Sequence, residues 1–212
     1  MAKMELLRKA MEDLEEDTVL EFIRGIAASG GDESGTAMEA CQAGMRVVGD
    51  RFEAGEYFIG DLIFAGEIMA GALEIIKPFL NAGISGGRGK MIICTVQGDL
   101  HDIGKNIVRS VLEAAGFEVI DLGIDVAPEM VLETAKAENI KIIALSGVLT
   151  LALDSMRDVV ELFKSAGLRD SVKIIIGGNP VTAEACAKIG ADAWAHSPQK
   201  AVGVCSAWAV DA

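Results

Sequence analysis

From residue 90 to its end the chain repeats one unit five times: a short apolar run, then a helical pattern. The apolar runs fall at 91–96, 118–122, 142–146, 173–176 and, more weakly, 193–195. The helical patterns fall at 105–115, 128–138, 155–166, 183–189 and 200–209. Pro128 and Pro198 stand where a first helical turn tolerates proline, and Gly116 and Gly167 stand where helices end. Runs of Ile and Val without polar alternation fit strands buried on both faces. Strand–helix alternation of this length implies a parallel sheet wound with helices on both sides. For a flavodoxin-like strand order, 2-1-3-4-5, the switch point lies between strands 1 and 3, and ligands bind at the carboxyl edge there.

The first third has a different texture. Residues 4–14, 18–28, 35–52 and 59–79 carry helical patterns with short connections, which predicts an antiparallel four-helix bundle. Residues 83–89, Gly-Ile-Ser-Gly-Gly-Arg-Gly, read as a flexible linker and a hinge. The expected domains are therefore 1–82, the linker 83–89, and 90–212. Hydrophobic residues make up 51% of the 212 and aromatics only 5%, so aliphatic side chains and Met must fill both cores.

Composition excludes several classes of function. A net charge of −13, with Lys and Arg scattered among acids, argues against nucleic acid. No apolar run approaches the roughly 20 residues of a membrane span, and the N-terminus has no apolar signal core, so the expected location is the cytoplasm. Cys41, Cys94, Cys186 and Cys205 have no metal-site spacing and read as free thiols, with Cys94 in a strand core.

The chemistry concentrates in three loops that follow strands 1, 3 and 4. The first is Gly98-Asp99-Leu100-His101-Asp102-Ile103-Gly104. A neutral imidazole that binds a metal through one nitrogen needs a partner for the proton on the other, and Asp99 is the candidate. Asp102 is expected to cap the next helix or support the loop. The second loop is Ser146-Gly147-Val148-Leu149-Thr150, and the third is Gly177-Gly178-Asn179. Each loop alone reads equally as a strand–helix turn, but three at one edge could line a slot for a large planar ligand and its tail. His196 reads as a surface or capping residue that could border that slot, and Trp194 and Trp208 as core or interface anchors.

This ordered set resembles the Asp-x-His-x-x-Gly, Ser-x-Leu, Gly-Gly pattern of cobalamin-binding corrinoid proteins in methyltransferase systems, a group similar to the cobalamin module of methionine synthase. Asp99, His101 and Gly104 match the first element, Ser146 the second, Gly177 and Gly178 the third, and Val148 stands where leucine is usual. The resemblance implies a base-off, His-on cobalamin with His101 as axial cobalt ligand. It implies a tail channel lined near Ser146, Gly177 and Gly178. It extends to the helical half, which resembles a cap over the upper face of cobalt, with Phe58, Ile59 and Ile63 as contact candidates. Each of those three reads alternatively as bundle core, the preferred reading for Ile63. One position departs from the pattern: Ala152 stands where methionine synthase has a hydroxyl residue in a proton relay, leaving water or Thr150 as replacements.

The function so implied is methyl carriage on cobalt between a substrate-specific methyltransferase and a second methyltransferase, with a reductive activase as a further partner. The chain has no catalytic residues of its own in this reading. The alternatives are a cobalamin-binding sensor module and the small subunit of a carbon-skeleton mutase. A phosphoacceptor receiver domain would need an acidic residue where Ser146 stands.

Overall fold

The computed structural model describes residues 2–79 and 88–210. Its helices and strands form two compact units, one holding the N-terminal helices and the other beginning at Arg88. Most of the expected linker, residues 83–87, lies outside the described residues.

The first unit is built from α1 (Ala2–Glu12), α2 (Glu16–Ala28), α3 (Ser34–Glu53) and α4 (Ile59–Ile76). Helix α1 packs on α3, and α4 on α2 and α3. Leu7, Met11, Val19, Ile23, Ile26, Val48, Leu62 and Ile68 are fully enclosed in its core. Gly44 decides how closely α1 and α3 approach: a Cβ there would stand 2.6 Å from the Arg8 carbonyl and 2.7 Å from Met11 Cβ. Beyond Ile76 the chain tightens into one 3-10 turn, Lys77–Phe79, rather than continuing α4. Pro78 lacks the N–H that another α-helical turn requires. The expected helix 59–79 therefore ends early.

The second unit contains β1 (Lys90–Thr95), α5 (Ile103–Ala114), β2 (Glu118–Asp121), α6 (Pro128–Ala137), β3 (Ile142–Ser146), α7 (Ala152–Ser165), β4 (Lys173–Gly177), α8 (Ala183–Ile189), β5 (Ala193–Ala195) and α9 (Pro198–Val210). All four strand pairings are parallel, in the order β2-β1-β3-β4-β5. Pairing runs from Met91 opposite Ile142 to Thr95 opposite Ser146, then from Ser146 to Gly177, so the three ligand loops leave the sheet at one level. Ile92, Cys94, Ile143, Leu145, Ile174 and Ile176 pack with Val131, Met156, Val160 and Phe163 under α6 and α7.

Helix α7 starts at Ala152, three residues earlier than the pattern from 155 suggests. Turn bonds from Ala152 N to Leu149 O and from Leu153 N to Thr150 O lead the chain into it. Thr182 caps α8 through Oγ1, which accepts from Ala185 N at 3.1 Å, and Gly190 ends it in the left-handed region. All four cysteines are free and buried. Burial pushes the Cys41 and Cys205 thiols up to about 12, so neither is a thiolate near neutrality.

One buried charge pair joins α5 to the sheet. Lys105, in the first turn of α5, is almost wholly enclosed and donates to the Asp121 carboxylate at the end of β2. Asp121 Oδ1 also accepts from Gly123 N at 2.9 Å. Burial pushes the Asp121 carboxyl up, but the Lys105 ammonium and the Gly123 amide outweigh it and hold the group below its ordinary value.

Two predictions follow from these packings. Gly44→Ala should destabilise the protein by about 1–3 kcal/mol through overpacking. Gly25→Ala, where a Cβ meets nothing, should stabilise it by about 0.5–1 kcal/mol; urea midpoints measure both. Because the Asp121 carboxyl is lowered in the folded chain, its stabilisation is complete above the unfolded value of about 3.9 and is lost as pH falls through the folded one. The stability gap between the wild type and Asp121→Asn should therefore narrow on acidification below about pH 4.

Candidate functional site

The site is organised around the buried carboxylate of Asp99, which has no solvent-exposed side-chain surface. Its Oδ1 accepts from His101 N at 3.0 Å and from His101 Nδ1 at 2.7 Å. Its Oδ2 accepts from Val148 N at 2.6 Å and Leu149 N at 2.9 Å. Burial works against the charge, but these four donors outweigh it and hold the carboxyl well below the usual carboxylate range. An ionised Asp99 fixes the tautomer: Nδ1 carries the proton, and the lone pair of the neutral ring lies on Nε2. The His101 side chain is 55% exposed, so this nitrogen is presented at the carboxyl edge of the sheet.

The loop around this pair is pinned from three sides. Thr95 Oγ1 donates to His101 O at 2.8 Å. Ser155, which the sequence placed at the start of a helix, lies one turn inside α7 and donates from Oγ to Gln97 O at 2.8 Å. Asp125, between β2 and α6, accepts from Gly98 N at 2.8 Å through Oδ1 and donates its own N–H to Asp99 O at 3.1 Å. Asp125 has φ +53°, a left-handed conformation that Asp tolerates better than most side chains. Gly98, at φ +84°, needs no side chain in that turn.

Sequence reasoning overlooked Thr95, Lys105, Asp125 and Ser155 as supports of the loop. Lys105 carries a readable signal, since a lysine inside the Gly104-Lys105-Asn106 start of an amphipathic helix stands on its enclosed side. Asp125 carries none, because its partners lie across the fold.

The expected residues occupy one edge. Leu100, Ile103, Val148 and Leu149 are exposed around His101, together with Leu151 at 75% exposure, which the sequence reading did not include. Thr150 and Asn179 are also exposed there, and Ser146 is half-buried at the end of β3. Asp102 does not cap α5 through its carboxylate in the expected way; Oδ2 accepts from the Asn106 side-chain amide at 3.2 Å, one turn on.

The two glycines after β4 act differently from a simple absence of bulk. A Cβ on Gly178 would stand 1.9 Å from Gly147 O, and one on Gly177 would stand 3.2 Å from Ala195 O. They let three loop backbones close together. Open space lies instead beside Gly98 and Gly104, where an added Cβ would meet nothing.

Ala152 is buried, and its Cβ fills the space beside Gly147. Asp99 Oδ2 accepts two main-chain amides, Val148 N and Leu149 N, so backbone donors stand where water or the Thr150 hydroxyl was expected to replace the relay. In the first unit, Phe58, Ile59 and Ile63 are 73%, 52% and 42% exposed. The bundle-core reading therefore fails for all three, Ile63 included. Phe58 is held in place, since its N donates to Asp61 Oδ2 at 2.7 Å and Tyr57 is bound to Arg51 and to the Glu12 carbonyl.

These observations fit a large metal-centred ring. A lone imidazole with its second nitrogen engaged is a suitable single axial ligand. The described residues contain no cluster of three or more metal-ligating side chains, so the remaining coordination would come from the ring itself. The apolar rim suits a broad, mostly apolar face. His196, just beyond the end of β5, is exposed, and its ring centroid lies 4.5 Å from that of Trp194 in an edge-to-face arrangement. No helix among the described residues is long and apolar enough to cross a membrane.

Comparison with known proteins agrees with this reading. Residues 89–202 match one family described as B12 binding domain, and residues 4–77 match a second family of the same description. The chain is 40% identical over 207 residues to the dimethylamine corrinoid protein of Methanosarcina barkeri, covering 95% of this chain and 96% of that one. A crystal structure of a cobalamin-binding protein from Desulfitobacterium hafniense DCB-2 superposes with a TM-score of 0.85 at 46% identity, covering 97% and 98% of the two chains. The methanol:cobalamin methyltransferase complex MtaBC from Methanosarcina barkeri superposes with a TM-score of 0.82 at 25% identity, covering 97% of this chain and 79% of that one. Matched along both halves and at this level of identity, the chain belongs to the cobalamin-binding corrinoid proteins of methyltransferase systems.

Proposed function

We propose that this protein holds cobalamin base-off and His-on, and carries a methyl group between a substrate-specific methyltransferase and a second methyltransferase. The observation that supports it best is the His101–Asp99 pair, a ring fixed through Nδ1 with Nε2 turned to the open edge. When bound, cobalamin supplies a cobalt centre able to take up and release a methyl group.

The chain's own residues do the rest. His101 binds the metal through Nε2, and Asp99 orients the ring and raises its basicity. Leu100, Ile103, Val148, Leu149 and Leu151, all exposed, would exclude water from the cofactor held there. Ser146, Gly177, Gly178 and Asn179 border the tail, with Gly98, Asp102, Gly104 and Thr150 completing the loops around the corrin. Phe58, Ile59 and Ile63 give the helical unit an exposed apolar surface, the one that would shield the bound cofactor. The proton available for exchange is that on His101 Nδ1, shared with Asp99. Substrate activation and reduction belong to partner proteins, a methyltransferase and a reductive activase. Similarity at 40% to a dimethylamine corrinoid protein makes a methylated amine the first donor to test, with methanol as the comparison.

Two variants test the site. Wild-type protein reconstituted with methylcobalamin should show a base-off absorption spectrum with imidazole bound. His101→Ala should lose that imidazole signature while its circular dichroism remains that of the wild type; a base-on spectrum for both would overturn the reading. Asp99→Asn removes the charge and sets an amide N–H against a donor. It should weaken cobalamin binding by about 10–100-fold, measured by absorbance titration.

A further inference from the structure

Helix α9 is apolar nearly all round. From Ala201 to Val210 it carries no charged residue and a single hydroxyl, that of Ser206. A helix of that kind is at home in an interior. This one is enclosed on one side only. It packs on β4 and β5, and Ala201 and Cys205 are buried. Gly203 and Ala207 are exposed, and Val202, Val204 and Trp208 are half-buried. A Cβ added to Gly203 would meet nothing.

An open cleft runs beside this helix. β5 is the last strand of the sheet and pairs only with β4, and α8 and α9 flank it. The cleft has a volume of about 460 Å³, and its walls include Ala183 and Ala187 from α8, Ala193 and Trp194 from β5, and Lys200 and Val204 from α9. Both alanines of α8 are exposed, and the Lys200 ammonium lies over the Trp194 ring at 3.4 Å. The face is therefore small-residued and apolar, with one aromatic floor.

Charge indicates what covers it. Residues 181–210 set Glu184 and Asp192 against Lys188 and Lys200, no net charge, in a chain that carries −13. Asp192 is itself paired with Arg169 and Lys173. Two molecules this acidic repel one another at long range, and they meet at least cost where neither presents net charge. A different protein drawn in by the acidity would be steered to an acidic surface instead.

We propose that the α8–β5–α9 face pairs two copies of this chain, with α9 of each lying along the cleft of the other. Gly203 and Ala207 allow the helix backbones to approach closely, and Val204 and Trp208 supply apolar area. The ligand loops stay open, because they leave the carboxyl edge of the sheet while the cleft follows the side of its last strand as far as Asp192, at the amino end. The pairing goes beyond the methyl-carrier reading and does not depend on the cofactor.

Sedimentation equilibrium of the full-length, cofactor-free protein tests this, from about 1 μM to about 1 mM, the range in which modest affinities show. A species of twice the monomer mass should form. Its dissociation constant should fall when NaCl is raised to about 0.5 M, since screening removes the long-range repulsion. Gly203→Glu should weaken pairing by about 100-fold, because it sets like charges together in an apolar contact. Leu6→Glu makes the same change of charge at an exposed position on α1 and should pair as the wild type does. Circular dichroism checks that each variant folds, and Ala207→Glu replaces Gly203→Glu if that variant does not. A monomer under every condition, pairing that weakens with salt, wild-type pairing in the face variants, or an equal loss in Leu6→Glu each overturn the assignment. None of these outcomes bears on cobalamin binding, which the His101→Ala spectrum tests separately.

Discussion

Asp99 is the interaction on which the ligand edge depends. One carboxylate collects four N–H groups from two loops that follow different strands, His101 twice on one oxygen and Val148 and Leu149 on the other. A buried anion is costly unless its lone pairs are filled, and here they are filled by donors whose positions the sheet already sets. The register that places Thr95 beside Ser146 brings the β3 loop within reach of the β1 loop. The charge that fixes the His101 ring is thus the same charge that holds two loops together.

The supports of that carboxylate form a second tier. Asp125 grips Gly98 and Asp99 from the β2 side, Ser155 grips Gln97 from α7, and Thr95 grips His101 from beneath. Lys105 and Asp121 tie the first turn of α5 to the end of β2, directly behind the loop. Such preorganisation limits the movement available to the imidazole, so affinity for a metal is not spent on ordering the loop. The glycines serve the same end by a different route. Gly178 allows its loop to meet the Gly147 carbonyl, and the three ligand loops become one surface.

Much of this was legible in advance. Alternating Ile-rich runs and helical patterns implied five parallel strands, and the order expected of a flavodoxin-like sheet is the one observed. His101 and Asp99 stood out as a candidate ligand and its partner through the resemblance of their loop to the Asp-x-His-x-x-Gly pattern, and the structure pairs the two side chains. The boundaries were less legible. Helix α7 begins at Ala152 because turn bonds from Leu149 to Asp154 precede it, and α4 stops at Ile76 because Pro78 cannot continue it. Ile63 read as core because it is apolar within a strongly apolar helix, yet it lies on the open side. A helix with little amphipathic contrast does not declare which face is inward.

By itself the sequence determined the layering and the five strand–helix units, which follow from local periodicity, and it marked the histidine loop through the resemblance of its motif. Only the tertiary structure decided what holds that loop. Asp99 Oδ2 is bound by amides some fifty residues away, where water or Thr150 had been the expected replacements for a relay hydroxyl, and the Ala152 side chain occupies the space that a Cβ on Gly147 would need. Backbone donors carry no residue code, so their partners become visible only when the chain is folded.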